Sequence, residues 1–346
     1  MSSLVRVCAL LFSAVCCLRA AVPSGSERIL PASARLEELW NEGEFTEGVA
    51  AGPDGRIYFS DISRSPDKPG QILRFDPKTR RTTVFSGNSR KSNGLMFDRA
   101  GRLIACCGSN GGAMALCIVS ASGDVKPWVS KFQGRRLLSP NDLVIAPDGG
   151  IYFSDPRYIG SEPEEQGEMG VYRFDPESGK LIRLLGADEI EKPNGVHLSP
   201  DAKTLYVAET NNGSRGGPNA PADPQIGRMT LNAFPLLKDG RVDARKKRVL
   251  ADFGKETGTD GMAIDVEGNI YAAVRSQSRF GIVVFSPAGK ELVHIPTPTL
   301  PTNCTFGLGS ESDTLYVTAG GGLFRIRLKL DGHHPSTAKP GTPIHK

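Results

Sequence analysis

Five residues with side-chain oxygens open near-identical stretches of this chain: Glu47, Asn93, Asn141, Asn194 and Asp260. Each stands at the head of a short apolar run, as in Glu47-Gly-Val-Ala-Ala, Asn141-Asp-Leu-Val-Ile and Asp260-Gly-Met-Ala-Ile. Brought together, two carboxylates and three amide carbonyls form the oxygen-only donor set of a hard divalent cation. Calcium takes about six to eight such ligands, with water completing the shell. Zinc normally draws on histidine or cysteine, and neither occurs at this place in any stretch. His197 follows Asn194 by three residues and reads as packed within its own element, while His294, His333, His334 and His345 have no counterpart elsewhere. Singly, each of the five has another reading, because Asn-Gly is a turn pair and a lone carboxylate is a solvated loop edge. Recurrence at one register is what carries the cation reading.

The elements that must position these residues form an internal repeat. The stretches beginning at 47, 93, 141, 194 and 260 share one plan, and a degenerate sixth runs from Thr305-Phe-Gly-Leu to Leu315-Tyr-Val-Thr318. A strand of small and apolar residues meets a turn such as Pro53-Asp-Gly55 or Pro147-Asp-Gly149, then a second strand such as Ile57-Tyr-Phe-Ser-Asp61. Such turns supply hairpin backbone geometry, and the second strands have the aromatic and β-branched content of a packed sheet. Gln71-Ile-Leu-Arg-Phe75, Gly170-Val-Tyr-Arg-Phe174 and Ile282-Val-Val-Phe285 add further strands, giving about four per repeat, the content of a propeller blade. The expected fold is therefore all-β, a six-bladed β-propeller with a central metal-binding channel. The strand Arg35–Trp40 is expected to pair with the last blade and close the ring. In that arrangement the first residue of each innermost strand faces the channel mouth. The stretch between Asn194 and Asp260, with Asn211-Asn-Gly-Ser-Arg-Gly-Gly-Pro218, either overhangs the channel or is a surface insertion.

Composition sets the outer limits. The chain has 346 residues, 40 glycines and 25 prolines, a mixture suited to many short strands joined by tight turns. Its formal net charge is only +4, and no basic run carries interleaved aromatics, so nucleic acid is excluded as a partner. Residues 1–21 read as a secretory signal: Arg6, an apolar run from Val7 to Leu18, then Ala20-Ala21. A secreted or periplasmic protein is expected, with residues 35–330 as the propeller and 331–346 as a flexible tail. No other segment is apolar enough to span a membrane. Cys106, Cys107, Cys117 and Cys304 show no zinc-like spacing. They are either buried thiols or, for Cys106 or Cys107 with Cys117, a bridge across a hairpin.

Taken with Ser139-Pro-Asn-Asp-Leu-Val144, Lys192-Pro-Asn-Gly195 and Thr259-Asp-Gly-Met262, these features resemble the gluconolactonase family. That family also includes regucalcin (senescence marker protein) and luciferin-regenerating enzyme, and is related to a calcium-dependent phosphotriesterase of squid. The resemblance runs from about Leu36 to Lys329. It implies Glu47, Asn194 and Asp260 as direct metal ligands and Asn141 as a ligand or substrate contact beside the metal. It also implies Asp260 as general base or nucleophile. Asn93 matches a channel position that is polar in bacterial members and is a candidate substrate contact. Ser139 stands where the animal lactonases place a substrate-binding arginine, which leaves Arg157 or Tyr158 to supply such contacts here.

The implied activity is metal-dependent hydrolysis of a sugar lactone by a monomer. One divalent cation, calcium first and zinc, magnesium or manganese as alternatives, would polarise the carbonyl while Asp260 acts as base. A phosphotriesterase or arylesterase could use the same groups. A binding propeller with a structural ion is the non-enzymatic alternative. A quinone-dependent sugar dehydrogenase is disfavoured because no histidine-arginine set marks the channel, and no Gly-x-Ser-x-Gly elbow competes for the chemistry.

Overall fold

Small residues in one strand and Ile, Tyr and Phe in the next produce the same four-stranded antiparallel sheet again and again around a central axis. The computed structural model describes residues 22–216, 220 and 222–335. The signal segment 1–21 and residues 336–346 of the tail lie outside them. The first two blades are built on inner strands Thr46–Ala51 and Ser92–Phe97. The third and fourth start from Leu143–Ile145 and Pro193–Leu198, and the fifth and sixth from Thr259–Asp265 and Pro301–Phe306. These are the six blades the repeat predicts.

The turns behave as their residues dictate. At Pro53-Asp54-Gly55, Gly55 takes φ of +76° and Asp54 Oδ1 accepts the Arg56 N–H at 3.1 Å, which returns the chain into the second strand. The core lies between blades. Tyr58 and Ile72 of the first blade pack with Leu95, Ala105 and Cys117 of the second. The seam between the last and first blades packs Tyr316 and Leu323 against Phe59 and Phe75, with Trp40 edge-on to Phe59 at 5.5 Å between centroids. Closure is as expected: Glu37–Trp40 pairs antiparallel with Gly322–Arg327, so the N-terminal side of the chain supplies the outer strand of the sixth blade.

Three expectations need correcting. The sixth inner strand begins at Pro301, four residues before the expected Thr305, because Pro301-Thr-Asn303 lacks the Asn-Gly or Asp-Gly pair that marks the second, fourth and fifth units. The ordered body exceeds 35–330: Ser24–Gly25 pairs with the outer strand of the fifth blade. At its other edge, Gly332–His333 pairs with Ile264 and Asp265 of the inner strand. The tail is thus docked through its first residues, with a His334 ring nitrogen 3.1 Å from the Gly307 carbonyl, instead of starting loose at 331. Of the two readings left open for the cysteines, buried thiols hold: those among the described residues are free and buried. Cys107 faces Ala115 and Cys117 faces Ala105, so their thiols sit on a diagonal of the hairpin rather than opposite each other.

Phe59 tests the closing seam. Phe59→Ala is expected to cost about 3–5 kcal/mol in guanidinium unfolding. A loss below about 1 kcal/mol would mean that the seam does not carry the ring.

Candidate active site

The five oxygen-bearing residues do converge. Glu47, Asn93, Asn141, Asn194 and Asp260 all line one cavity of about 670 Å³ at the mouth of the channel. Their convergence has a local cause. The pairing of the inner strand slips just after the ring residue in four of these blades, between Glu47 and Ala50, Ser92 and Leu95, Pro193 and Val196, and Thr259 and Met262. Such an irregularity lifts a side chain out of the ladder and re-aims it, here into the channel. The glycine that follows is required by space. A Cβ on Gly48 would lie 1.8 Å from the Asn93 carbonyl oxygen, and one on Gly195 would lie 2.3 Å from that of Asp260. Gly94 and Gly261 meet Asp142 and Asn303 of the next blades in the same way. The Asn-Gly pairs are therefore steric clearances within strands and not turns.

Hydroxyl groups tie neighbouring blades at the same level. Ser60 donates to the Asn93 carbonyl at 2.8 Å, Thr210 to the Thr259 carbonyl at 2.5 Å, and Thr302 to the Thr46 carbonyl at 2.7 Å. Thr302 holds the ring position in the sixth blade, so that blade contributes a structural bridge instead of a channel oxygen.

The floor of the cavity is charged and dry. Glu47 and Asp260 are each 4% exposed and Asn194 5%. Burial, reinforced by the charge of Asp260 and only partly offset by Arg275, pushes the Glu47 carboxyl well above its ordinary range. Burial also raises Asp260, against the opposing pull of Arg275 and a hydrogen bond from Asn194. Arg275 Nη1 donates to Asp260 Oδ2 at 2.5 Å. Two buried carboxylates thus share one guanidinium, and a buried charge without a partner is expensive. Asn194 Oδ1 is buried beside them with no hydrogen-bond partner. An unsatisfied carbonyl oxygen next to under-compensated carboxylates is a fit for a hard cation. Among the described residues no three His, Cys, Asp or Glu side chains are grouped to hold a metal by themselves, so a cation here depends on the asparagine oxygens.

The two further substrate candidates part company. Tyr158 lines the cavity; its hydroxyl donates to the Thr210 carbonyl at 3.1 Å and its ring lies 4.5 Å from the Lys192 ammonium. Burial, then the nearby Asp260 charge, pushes its phenol well up. Arg157 does not reach the cavity, which corrects the expectation that it contacts substrate. It is fully buried, donating to the Leu138 carbonyl at 3.2 Å and the Glu162 carbonyl at 2.7 Å. Its neighbour Asp155 accepts the Leu138 and Ser139 N–H groups at 2.9 and 2.6 Å, so together they brace the segment ahead of Asn141. The insertion after Thr210 does reach the channel, through Asn212 and Ser214 on the cavity wall and the Arg215–Glu164 ion pair. Gly217 and Pro218 of that stretch lie outside the described residues.

Sequence reading passed over Arg275. Its signal was present: Asp61, Glu209 and Val274 stand at or one residue before the end of the second strands, and the residues that follow them, Ile62, Thr210 and Arg275, all line the cavity. Only the fifth blade places a charge there. Asp142 and Asn303 were also passed over. Asp142 accepts the Val196 N–H at 3.1 Å, and burial lifts its carboxyl to about 7 against that bond and one from Asn303.

A six-bladed propeller whose mouth holds a buried, oxygen-only donor set around a carboxylate–guanidinium pair has the make-up of a propeller hydrolase. Residues 45–321 match the family model described as "SMP-30/Gluconolactonase/LRE-like region", and the chain belongs to that family. It is 30% identical over 322 residues to a gluconolactonase of Zymomonas mobilis, covering 88% of this chain and 85% of that one. Among solved structures, a gluconolactonase from Xanthomonas campestris superposes with a TM-score of 0.74 at 28% identity, over 89% of this chain and 95% of the other. A luciferin-regenerating enzyme shares the fold, with a TM-score of 0.66 at 18% identity over 88% and 99% of the two chains.

Asp155 makes the brace pH-dependent. Burial raises its carboxyl to about 7, although the Leu138 and Ser139 N–H groups and the Arg157 charge pull the other way. The folded state therefore holds this proton more tightly than the unfolded chain. Its contribution is full below about pH 4 and is lost as pH rises through about 7. Asp155→Asn is expected to flatten the decline in unfolding free energy between pH 5 and about 7.5, read from denaturant melts. An unchanged slope would refute the assignment.

Proposed function

We propose that this chain is a metal-dependent hydrolase that opens a sugar lactone, with Asp260 as general base. The observation that carries the reading is the buried, unpartnered Asn194 Oδ1 beside Glu47 and Asp260. The lactone part rests on the relatives named as gluconolactonases.

Glu47, Asn194 and Asp260 would hold the cation, with Asn141 beside them. Oxygen donors favour calcium, with magnesium, manganese or zinc as alternatives. When bound, the cation supplies Lewis-acid polarisation of the ester carbonyl. The residues of the chain do the rest. Arg275 fixes Asp260 through one oxygen and opposes the effect of its burial, favouring the ionised form from which a base must start. Asp260 takes a proton from water as the water oxygen bonds to the carbonyl carbon. The ring ester C–O bond then breaks, Asp260 returns the proton to the departing oxygen, which leaves as a hydroxyl, and a hydroxy acid results. Asn93 and Asn141 stand on the wall as hydrogen-bonding groups for sugar hydroxyls. Tyr158 has its hydroxyl committed to Thr210, so it offers a ring face and not a proton. The apolar run and Ala20-Ala21 within residues 1–21 support export to the periplasm or medium as part of the same reading.

Chelation should abolish glucono-lactone hydrolysis in a pH-stat assay and added calcium should restore it, while Asp260→Asn should lose about a hundred- to ten-thousandfold in kcat. Retention of most activity in either case overturns the mechanism. Asn194→Ala should weaken calcium binding by about tenfold or more, as expected for losing one charge-assisted oxygen contact. Calorimetry, with the calcium-induced rise in Tm as a second readout, checks this; an unaltered affinity would remove Asn194 from the site.

A further inference from the structure

The side chains that line the cavity carry more positive than negative charge. Arg64, Lys91 and Arg275 line it together with Glu47 and Asp260; Glu44, Asp67 and Glu162 act on Lys91, and Glu44 on Arg64, from outside the lining, and a bound divalent cation would add to the positive charge of the wall. A neutral sugar ring gives such a surplus nothing to neutralise. Arg275 stands closest to the chemistry. Among the described residues its guanidinium makes one hydrogen bond, through Nη1 to Asp260, and its side chain remains 23% exposed toward the cavity. A guanidinium carries five N–H donors in a planar fork, so most of its donor capacity is uncommitted. Arg64 reinforces it: both guanidiniums lie over the Phe45 ring, 5.7 and 5.8 Å from its centroid, which brings two cations to one wall. Arg64 makes no ion pair among the described residues. Lys91 has none either, its ammonium being held only by the Ser63 and Ser65 carbonyls at 2.6 and 2.5 Å.

We propose that Arg275 determines specificity in this cavity and that the preferred substrates are lactones bearing a free carboxylate, the monolactones of aldaric acids. The proposal rests on the lactone-hydrolase reading and extends it. The planar carboxylate matches the guanidinium fork, a pairing that a lysine at the same place reproduces only as a point charge. Arg275 thereby has two tasks, to position Asp260 through one N–H and to receive the substrate carboxylate through the others.

The test compares kcat/KM for D-glucaro-1,4-lactone and D-glucono-1,4-lactone, which share a ring size and differ in the carboxylate. It uses calcium-loaded wild type, Arg275→Gln and Arg275→Lys. The wild type should favour the acidic lactone. Arg275→Gln should lower the acid-to-neutral ratio by about ten- to a hundredfold, chiefly through KM, with Arg275→Lys in between. Calorimetry of D-glucarate against D-gluconate gives a readout independent of turnover, and the same variants should erase the preference for the dicarboxylate. A wild type that favours the neutral lactone, or a ratio unmoved by Arg275→Gln, overturns the proposal. Should Arg275→Gln fail to fold, the wild-type ratio and Arg275→Lys decide. If neither lactone is hydrolysed yet glucarate binds more tightly through Arg275, the hydrolase reading fails and the anion-binding assignment stands.

Discussion

The closeness of the inner strands at the channel mouth governs everything else in this molecule. Where Gly48 passes Asn93 and Gly195 passes Asp260, not even a methyl group fits. That approach lets the ring residues of successive blades share one small cavity. It also explains why small residues fill the innermost strands while bulky aromatics sit further out, between blades. Hydroxyls from Ser60, Thr210 and Thr302 then bond carbonyls of the adjacent inner strand, so the narrow ring is fixed by directional bonds as well as by packing. A wider ring would admit water between Glu47 and Asp260 and dissolve the electrostatic tension that defines the site.

That tension has a definite arrangement. Burial raises both carboxylates, the charge of Asp260 raises Glu47 further, and Arg275 relieves them unequally because it touches Asp260 directly and Glu47 only through space. Burial also works against Arg275 itself, yet the two carboxylates and Tyr158 keep it firmly charged. The outcome is a carboxylate paired directly with a guanidinium next to one that remains short of positive charge. These are different electrostatic situations for two chemically similar groups a blade apart in the ring.

The fold was almost fully legible because the blades repeat a common plan: an inner strand, a tight turn (Asp-Gly in the first and third blades) and a second strand rich in aromatic and β-branched residues. Legibility ended where a signal was missing. Pro301-Thr-Asn303 carries no Asn-Gly or Asp-Gly pair, and the sixth inner strand was displaced in the reading by four residues. The docking of Gly332–His333 could not be read, since two residues pairing with Ile264 and Asp265 leave no periodic pattern. Within the site, the oxygen ring was visible as a column of the repeat. Arg275 was not, because a ring of like residues draws attention to what recurs, and Arg275 matters by being the exception at its register. Arg157 failed for the opposite reason: sequence proximity to a strand end near the mouth says nothing about which way a long side chain turns, and the Leu138 and Glu162 carbonyls draw it inward.

The end of the second strand shows how a structural device became available for function. Asp61 and Asp155 close that strand in the first and third blades, and Glu209 stands one residue before its end in the fourth. Each accepts backbone N–H groups from the segment leading to its own inner strand: Glu44 and Phe45, Leu138 and Ser139, and Glu191. These carboxylates hold the loops that present Glu47, Asn141 and Asn194. In the fifth blade the equivalent residue is Val274, so the carboxylate brace is missing, while the Arg275 N–H still donates to the Gly258 carbonyl at 2.9 Å, as the Ile62 and Thr210 N–H groups do to the Phe45 and Lys192 carbonyls. The side-chain brace is lost and the backbone bond remains. With no local carboxylate beside it, the Arg275 side chain turns to the one that lies inward, Asp260. The blade that supplies the proposed base thus also supplies its counter-ion, one strand away, by giving up a brace that three of its neighbours keep.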